Sequence, residues 1–127
     1  YRMKELVLII EDNPENMYLM RYLLENHSYE VEGVITGPEG IEKAERIVPD
    51  LILLDIQLPG MDGYEVARQL RQNPVTKTIP IIAVTSYAMI GDREQALEAG
   101  ANAYMEKPIN PDTFVADIEK IMENIIK

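Results

Sequence analysis

The sequence predicts a doubly wound α/β fold with a five-stranded parallel sheet in the order 2-1-3-4-5. Two observations lead to this prediction. Five apolar segments alternate along the chain with five segments of helical periodicity, as in strands joined by helical crossovers. Three apolar segments are uninterrupted, as in strands covered on both faces, whereas the second and fifth contain polar residues and suit the two edges.

The predicted strands are short and end close to polar residues. The uninterrupted strands read LVLII (6–10), LILL (51–54) and IIAV (81–84), and the edge strands read YEVEGV (29–34) and NAYM (102–105). In an open sheet of this order, ligands bind in the crevice at the carboxyl ends of the strands, where the winding direction reverses. The residues that follow each strand are therefore the first candidates for a functional site.

Helix start signals and apolar periodicity place a helix after each strand. Asn13 is a predicted N-cap with Pro14 at the first helical position, and Asn110 with Pro111 is predicted to open the last helix. The segment 92–100 is the least amphipathic. The apolar stripes of the other four helices are Met17, Met20 and Leu24; Ile41, Ala44 and Val48; Gly63, Val66, Ala67 and Leu70; and Phe114, Ile118, Ile121 and Ile125.

Composition predicts one cytoplasmic domain over residues 1–127. The 127 residues are 46% hydrophobic, which is enough for one core, and no linker, repeat, signal peptide or membrane-length apolar run is visible. The absence of cysteine excludes disulfides and thiolate metal sites. A net charge of −10 argues against direct binding to nucleic acid or to a membrane surface. The only histidine, His27, is expected at a helix end or on the surface.

Polar residues follow four of the predicted strands. Their sequence positions place them at one edge of the sheet: Glu11 and Asp12, Asp55, Thr85 and Ser86, and Lys107 with Pro108. Taken one at a time, most have an ordinary structural explanation, since acidic pairs are common in turns and lysines on surfaces. Together, three carboxylates repel unless a cation neutralises them, and an oxygen-only cluster suits Mg²⁺. An ammonium and a hydroxyl beside them complete the groups needed to hold a transferring phosphoryl group.

Four segments resemble a known family. LIIEDNPEN, LILLDIQLPGMDG, IIAVTSYA and AYMEKP resemble, in order and spacing, the motifs of the receiver domains of response regulators in two-component signalling. The resemblance covers nearly the whole chain and is closest to single-domain cell-division regulators and to the receivers of hybrid kinases. It implies the flavodoxin-like (βα)₅ fold and a Mg²⁺-dependent phosphoacceptor that acts as a phosphorelay component and not as a turnover enzyme.

The resemblance assigns a role to each matching residue. Asp55 corresponds to the phosphoacceptor, Lys107 to the conserved lysine, Thr85 to the switch hydroxyl and Tyr104 to the aromatic switch residue. The metal ligands that it implies are Asp12 directly, Glu11 through water, Asp55, and the backbone carbonyl of Gln57. It also implies a cis peptide bond before Pro108, and Pro59 and Gly63 shape the loop after Asp55.

Three other functions are less consistent with the sequence. A haloacid-dehalogenase-type phosphatase needs a second acid two residues after the nucleophile, where this chain has Gln57. A flavodoxin-like cofactor binder needs a phosphate-binding loop after the first strand, where this chain has EDNPEN. A pseudo-receiver that only binds partners would not need the reactive residues, and this chain has a matching residue at every reactive position.

The resemblance implies that the partners are proteins. A sensor histidine kinase or a histidine phosphotransfer protein would donate the phosphoryl group, and a downstream target would bind the face formed by helix 4, strand 5 and helix 5. EDNPENMYLMRYLL and DIQLPGMDG resemble both stand-alone regulators and the receivers of hybrid sensor kinases, so the chain is expected to be one or the other.

Two further expectations concern the surface and the lifetime of the phosphoryl group. Val115, Met122 and Ile126 form a second apolar set on the last helix, which either widens its buried face or serves a homodimer or a partner helix. Gln57 and Tyr87 flank the phosphoacceptor and the switch hydroxyl and are expected to hinder the attacking water, giving a long-lived phosphoryl group.

Overall fold

Five parallel strands in the order β2-β1-β3-β4-β5 form the centre of the molecule. The structure is a computed structural model that describes residues 4–86 and 91–126. The strands are β1 (Leu6–Ile10), β2 (Glu30–Val34), β3 (Leu51–Asp55), β4 (Ile81–Thr85) and β5 (Ala103–Glu106). The helices are α1 (Pro14–Glu25), α2 (Gly37–Ile47), α3 (Gly63–Gln72), α4 (Asp92–Ala99) and α5 (Phe114–Ile126). The predicted doubly wound fold, strand order and edge strands are confirmed.

The sheet has a hydrophobic core on each face. Successive residues of β1 alternate between the two cores, with Leu8 and Ile10 on one side and Val7 and Ile9 on the other. Helices α2, α3 and α4 cover the first face, and α1 and α5 cover the second. Because both faces are buried, the three central strands have uninterrupted apolar sequences.

Side-chain caps start three helices. Asn13 Oδ1 accepts a hydrogen bond from the backbone N–H of Asn16 at 2.9 Å, as predicted for the start of α1. Thr36 caps α2 and Asp62 caps α3 in the same way. Each cap satisfies a backbone donor that has no partner inside its helix, so each cap defines where the chain turns from the sheet edge into a helix.

Two helix ends differ from the sequence prediction. Val48 does not continue the apolar stripe of α2, because it is the C-cap residue in the left-handed region (φ 42°) and is 44% exposed. The last helix begins at Phe114 and not at Asn110. Asn110 Oδ1 accepts a hydrogen bond from the N–H of Asp112 at 2.9 Å, which stabilises a turn before the helix.

The second apolar set of α5 is partly buried. Val115 belongs to the core under α1 and α5 and is 5% exposed, and Met122 packs against the same core. The side chain of Ile126 lies outside the part of the chain that the structure describes. The position of Val115 favours a widened buried face over a separate docking patch.

Within residues 4–86 and 91–126, no helix has the length and apolar character that crossing a membrane requires.

The one histidine, His27, is exposed just after α1, where Nδ1 lies 3.0 Å from the carbonyl oxygen of Leu23.

Candidate functional site

The polar residues singled out in the sequence meet at the carboxyl edge of the sheet. Glu11 follows β1, Asp55 ends β3, Thr85 ends β4 and Lys107 follows β5. Parallel pairing holds these strand ends level, since Asp55 pairs with Val84 in the neighbouring strand. The edge therefore brings together side chains that are far apart in sequence.

Three carboxylates form a cluster at this edge. One side-chain oxygen each of Glu11, Asp12 and Asp55 lies within 4.8 Å of the other two. Glu11 and Asp55 are buried, with 1% and 3% of their surface exposed, whereas Asp12 is exposed. Buried carboxylates this close together repel each other unless positive charge is nearby.

Lys107 supplies positive charge to two members of the cluster. Its Nζ lies 2.7 Å from Glu11 Oε1 and 3.5 Å from Asp55 Oδ1, and its side chain is 9% exposed. The backbone N–H of Lys107 donates to the carbonyl oxygen of Thr85 at 2.8 Å, and the Lys107–Pro108 peptide bond is cis. These contacts bring the ammonium group to the two buried acids.

Glu11 is held by two different donors. Besides its contact with Lys107, its Oε2 accepts a hydrogen bond from the backbone N–H of Asn13 at 3.1 Å. Burial raises the pKa of Glu11, the hydrogen bond from Lys107 opposes this increase, and the charge of Asp55 adds to it. Burial is the largest of these effects, so Glu11 holds a proton more readily than an exposed glutamate.

Asp55 is held at the end of a buried strand. Its Oδ1 accepts a hydrogen bond from the backbone N–H of Gln57 at 3.0 Å. The start of α3 packs closely against the end of β3. A Cβ added to Gly63 would lie only 2.5 Å from the carbonyl oxygen of Asp55. Pro59 is exposed in the loop between Gln57 and Gly63. A side chain anchored in this way reacts from a defined position.

The cleft above Asp55 is open and polar. It has a volume of about 360 Å³. Its lining residues come from the chain after β1, β3, β4 and β5: Glu11, Asp12, Asn13, Pro14, Asn16, Asp55, Gln57, Ser86 and Lys107. The donor atoms of the acidic cluster are all hard oxygens, which fits Mg²⁺ and does not fit zinc or copper.

One contact in the cleft was not predicted from sequence. The Ser86 hydroxyl donates a hydrogen bond to Gln57 Oε1 at 2.8 Å. Ser86 follows Thr85 directly, and this position at a strand end was the only sequence signal that it would reach the site. Tyr87, which was expected to act together with Gln57, lies outside the described residues.

Thr85 and Tyr104 lie on the same face of the sheet. Ala83 belongs to the core under α2, α3 and α4, and Thr85, two residues further along β4, faces the same side. Tyr104 is paired with Ala83 in the neighbouring strand and packs against this core. Burial, followed by the charge of Asp92, raises the pKa of the Tyr104 hydroxyl. Thr85 itself is 1% exposed.

Comparisons with known proteins agree with this geometry. The sequence profile described as the response regulator receiver domain matches residues 7–119. The polar-differentiation response regulator DivK of Brucella ovis is 42% identical over 120 residues, which cover 94% of this chain and 98% of that protein. DivK of Brucella anthropi matches with the same identity and the same coverage of both chains.

Two solved structures illustrate the likeness of the fold. The receiver domain of the sensor histidine kinase PA1611 of Pseudomonas aeruginosa, with a magnesium ion coordinated in its active site cleft, is 36% identical, with a TM-score of 0.84 over 97% of this chain and 98% of that chain. The chemotaxis response regulator CheY4 of Vibrio cholerae is 26% identical, with a TM-score of 0.88 over 94% of this chain and 99% of that chain. The profile match and the DivK similarity both extend over most of the chain, and on this evidence the chain belongs to the response regulator receiver domain family.

Proposed function

We propose that this receiver domain accepts a phosphoryl group on Asp55 from a phosphohistidine of a sensor histidine kinase or a histidine phosphotransfer protein. The observation that carries the proposal is the position of Asp55. It is a buried carboxylate at a strand end, in a cluster with Glu11 and Asp12, and its Oδ1 lies 3.5 Å from Lys107 Nζ. A stand-alone regulator and the receiver of a hybrid kinase would both use this chemistry.

In the transfer, a carboxylate oxygen of Asp55 attacks the phosphorus atom. The new bond joins that oxygen to phosphorus, the phosphorus–nitrogen bond of the donor histidine breaks, and the ring leaves with the bonding electron pair and takes up a proton from solvent to become neutral imidazole. The Gln57 N–H on Asp55 Oδ1 orients the nucleophile before the attack. Hydrolysis of the acyl phosphate then regenerates Asp55. In this proposal, the domain catalyses both its own phosphorylation and its own dephosphorylation.

The acidic cluster is suited to Mg²⁺. Asp12 would bind the ion directly, Glu11 through a water molecule, and Asp55 and the backbone carbonyl of Gln57 would complete the protein ligands. When bound, the ion neutralises the carboxylates and the incoming phosphoryl oxygens, which would otherwise repel each other. Lys107 lies within reach of the same oxygens, since its Nζ is already 3.5 Å from Asp55 Oδ1.

The phosphoryl group would change the output surface through Thr85 and Tyr104. It adds up to two negative charges and new acceptor oxygens beside the Thr85 hydroxyl. A movement of Thr85 towards these oxygens gives the Tyr104 ring room to turn inward. Tyr104 and Ile121 line two clefts, of about 400 and 420 Å³, where β5 meets α5, so a change at Tyr104 alters the face formed by α4, β5 and α5. A downstream protein target would bind there.

Labelling with a small phosphodonor tests this proposal. With acetyl phosphate and Mg²⁺, the protein should take up one phosphoryl group that is stable in acid and lost in base, as an acyl phosphate is. Asp55→Asn should abolish the label. Asp62→Asn is the matched control, because Asp62 is a nearby exposed aspartate that caps α3 and asparagine caps equally well.

The outcomes separate the receiver from a pseudo-receiver. Equal labelling of the wild type and Asp55→Asn would remove Asp55 as the acceptor. A wild-type protein that takes up no label with Mg²⁺ present would favour a domain that only binds partners. Labelling that persists in EDTA would contradict the metal requirement.

A further inference from the structure

A second groove lies between the loop that follows β3 and the start of α4. Its volume is about 580 Å³, larger than that of the cleft above Asp55. Asp12 and Gln57 line both cavities. The other described lining residues come from the loop after β3, from α3 and from α4: Ile56, Leu58, Pro59, Asp62, Tyr64, Asp92 and Gln95. None of the described lining residues belongs to β5 or α5, so the groove differs from the face proposed for the downstream target.

The groove combines an apolar floor with a polar rim. Ile56 and Leu58 are 6% and 7% exposed and belong to the core under α2, α3 and α4, whereas Asp62 and Gln95 are exposed. An apolar centre within a polar rim is typical of surfaces that bind proteins. A small free ligand usually has most of its surface enclosed by its pocket. A groove with an exposed rim covers one side of its occupant and therefore suits a segment of a protein chain.

The charge of the groove selects a positively charged occupant. Its described lining contains three carboxylates, those of Asp12, Asp62 and Asp92, and no lysine or arginine. Two of these carboxylates act on one hydroxyl: burial, and after it the charges of Asp92 and Asp62, raises the pKa of Tyr64. The net charge of −10 also favours the approach of a basic partner. A nucleic acid or an anionic membrane would be repelled by the same charges.

Arginine matches these features more fully than lysine. The apolar stem of either side chain can lie on Leu58 while its charged head reaches the carboxylates. Only the guanidinium is planar, so it can bond a carboxylate through two N–H groups and stack on an aromatic ring. The groove offers both partners, since Tyr64 and Asp92 line it together.

We propose that this groove binds an arginine side chain on a short segment of a partner protein, with Asp92 and Tyr64 as the main contacts of the guanidinium. Binding requires no phosphoryl group on Asp55. The unphosphorylated protein in EDTA is therefore the form in which the proposal is tested.

A nuclear magnetic resonance titration with the peptide acetyl-Leu-Arg-Leu-amide tests the proposal. The two leucines supply apolar contacts for the floor of the groove. The amide resonances of Leu58, Tyr64 and Gln95 should shift in a saturable manner. The same peptide with citrulline in place of arginine is nearly isosteric but neutral, and it should bind about five- to tenfold more weakly.

Variants identify the groups that recognise the cation. Asp92→Asn should weaken binding of the arginine peptide by about two- to fivefold, as for a partly exposed ion pair. Glu25→Gln makes the same change of charge at an exposed residue at the end of α1 and should leave the affinity unchanged. Tyr64→Leu should also weaken binding, whereas Tyr64→Phe keeps the ring and should keep the affinity. Thermal unfolding of each variant reports on the fold separately.

The contrary outcomes are independent of the phosphorylation of Asp55, because no phosphodonor is present. Equal affinity for the arginine and citrulline peptides would overturn recognition of the charge. Asp92→Asn binding as tightly as Glu25→Gln would remove Asp92 as a contact and overturn the proposed site. Argininamide that binds as tightly as the tripeptide would show that the groove takes a small free cation and not a segment of a protein. Shifts confined to other parts of the surface would also overturn the proposal.

Discussion

Lys107 contacts Glu11 more closely than it contacts Asp55: its Nζ lies 2.7 Å from Glu11 Oε1 and 3.5 Å from Asp55 Oδ1. One ammonium group thus serves two buried carboxylates in the unphosphorylated protein. A lysine placed in this way offsets part of the negative charge of the three clustered carboxylates. It is also within reach of a group attached to Asp55.

Removal of this lysine should destabilise the fold when Mg²⁺ is absent. Lys107→Ala leaves Glu11 and Asp55 buried without their cation, and we expect the free energy of unfolding to fall by about 2–4 kcal/mol. Urea denaturation in EDTA measures this change. Glu11→Gln in the same background should recover much of the loss, and Mg²⁺ should recover part of it.

Lys120→Ala is the matched control, since Lys120 is an exposed lysine on α5 and its removal should change stability by less than about 0.5 kcal/mol. A Lys107→Ala protein as stable in EDTA as this control would show that the acids do not depend on the ammonium group.

Gly63 is predicted to be intolerant of even one methyl group. A Cβ at this position would lie 2.5 Å from the carbonyl oxygen of Asp55 and 2.6 Å from Ile56 Cα, and these backbone atoms belong to or adjoin β3. Gly63→Ala should cost about 1–3 kcal/mol through overpacking and should slow labelling of Asp55 by displacing it.

Gly33→Ala provides the comparison. The added Cβ would meet the Met17 sulfur at 2.8 Å, but that sulfur is near the end of a flexible side chain that can move. Chemical denaturation and acetyl phosphate labelling of both variants check the prediction. Equal losses in the two variants would mean that the contact with β3 is not what limits residue 63.

The fold and the composition of the site were largely predictable because they depend on local patterns. The run LILL ending at Asp55 identifies both a buried strand and the side chain at its end, and Asn13 with Pro14 marks a helix start that the structure confirms. Val48 was not predictable in the same way. It continues the apolar period of α2, but the chain has to leave the helix there to reach β3, so that its backbone enters the left-handed region.

Contacts between loops could not be predicted from the sequence. The Ser86–Gln57 bond depends on two loop conformations, and neither residue type signals the other. The start of α5 was placed at Pro111, three residues too early, because Asn110 and Pro111 are typical of a helix start and of a turn alike. Local residue preference does not distinguish a helix start from a turn at Asn110 and Pro111. The packing of Phe114 in the core does distinguish them, since α5 begins at that residue.

Arg71 shows the same limit and leads to a third prediction. Its guanidinium donates to the carbonyl oxygens of Gly100 at 2.8 Å, Lys77 at 3.0 Å and Ile79 at 2.8 Å, and to Asn102 Oδ1 at 2.8 Å. It thereby ties the end of α3 to the chain before β4 and to the chain before β5. Three of these acceptors are backbone oxygens, which have no signature in a sequence.

Arg71→Lys should therefore be costly in spite of its conserved charge. A lysine ammonium cannot reproduce the planar fork, and the loss of charged hydrogen bonds should lower the free energy of unfolding by about 2–3 kcal/mol. Arg46→Lys is the control, because Arg46 makes an exposed ion pair with Glu42 and its replacement should cost less than about 0.5 kcal/mol. If the two variants unfold at the same denaturant concentration, the hydrogen bonds of the Arg71 guanidinium do not stabilise the fold.

The fourth prediction concerns the transmission of the signal to the output face. Thr85 and Tyr104 share one side of the sheet, and the Tyr104 ring packs on the core beneath α2, α3 and α4. Burial, and after it the charge of Asp92, raises the pKa of the Tyr104 hydroxyl. Beryllium fluoride with Mg²⁺ mimics the phosphoryl group on Asp55. We expect it to shift the ring resonances of Tyr104 as the ring turns towards the space that Thr85 leaves.

Tyr22 supplies an internal reference for this experiment, since this residue of α1 is 54% exposed and its ring stacks on that of Tyr18. Its resonances should stay unchanged, and Tyr104→Phe identifies the signals of residue 104. In Thr85→Ala, the mimic should still bind, but the shift at Tyr104 should fall towards zero, because the hydroxyl that follows the phosphoryl oxygens is gone. A shift of full size in Thr85→Ala would show that the site acts on Tyr104 by another route. Unchanged Tyr104 resonances in the wild type, with Mg²⁺ and the mimic bound, would contradict the switch itself.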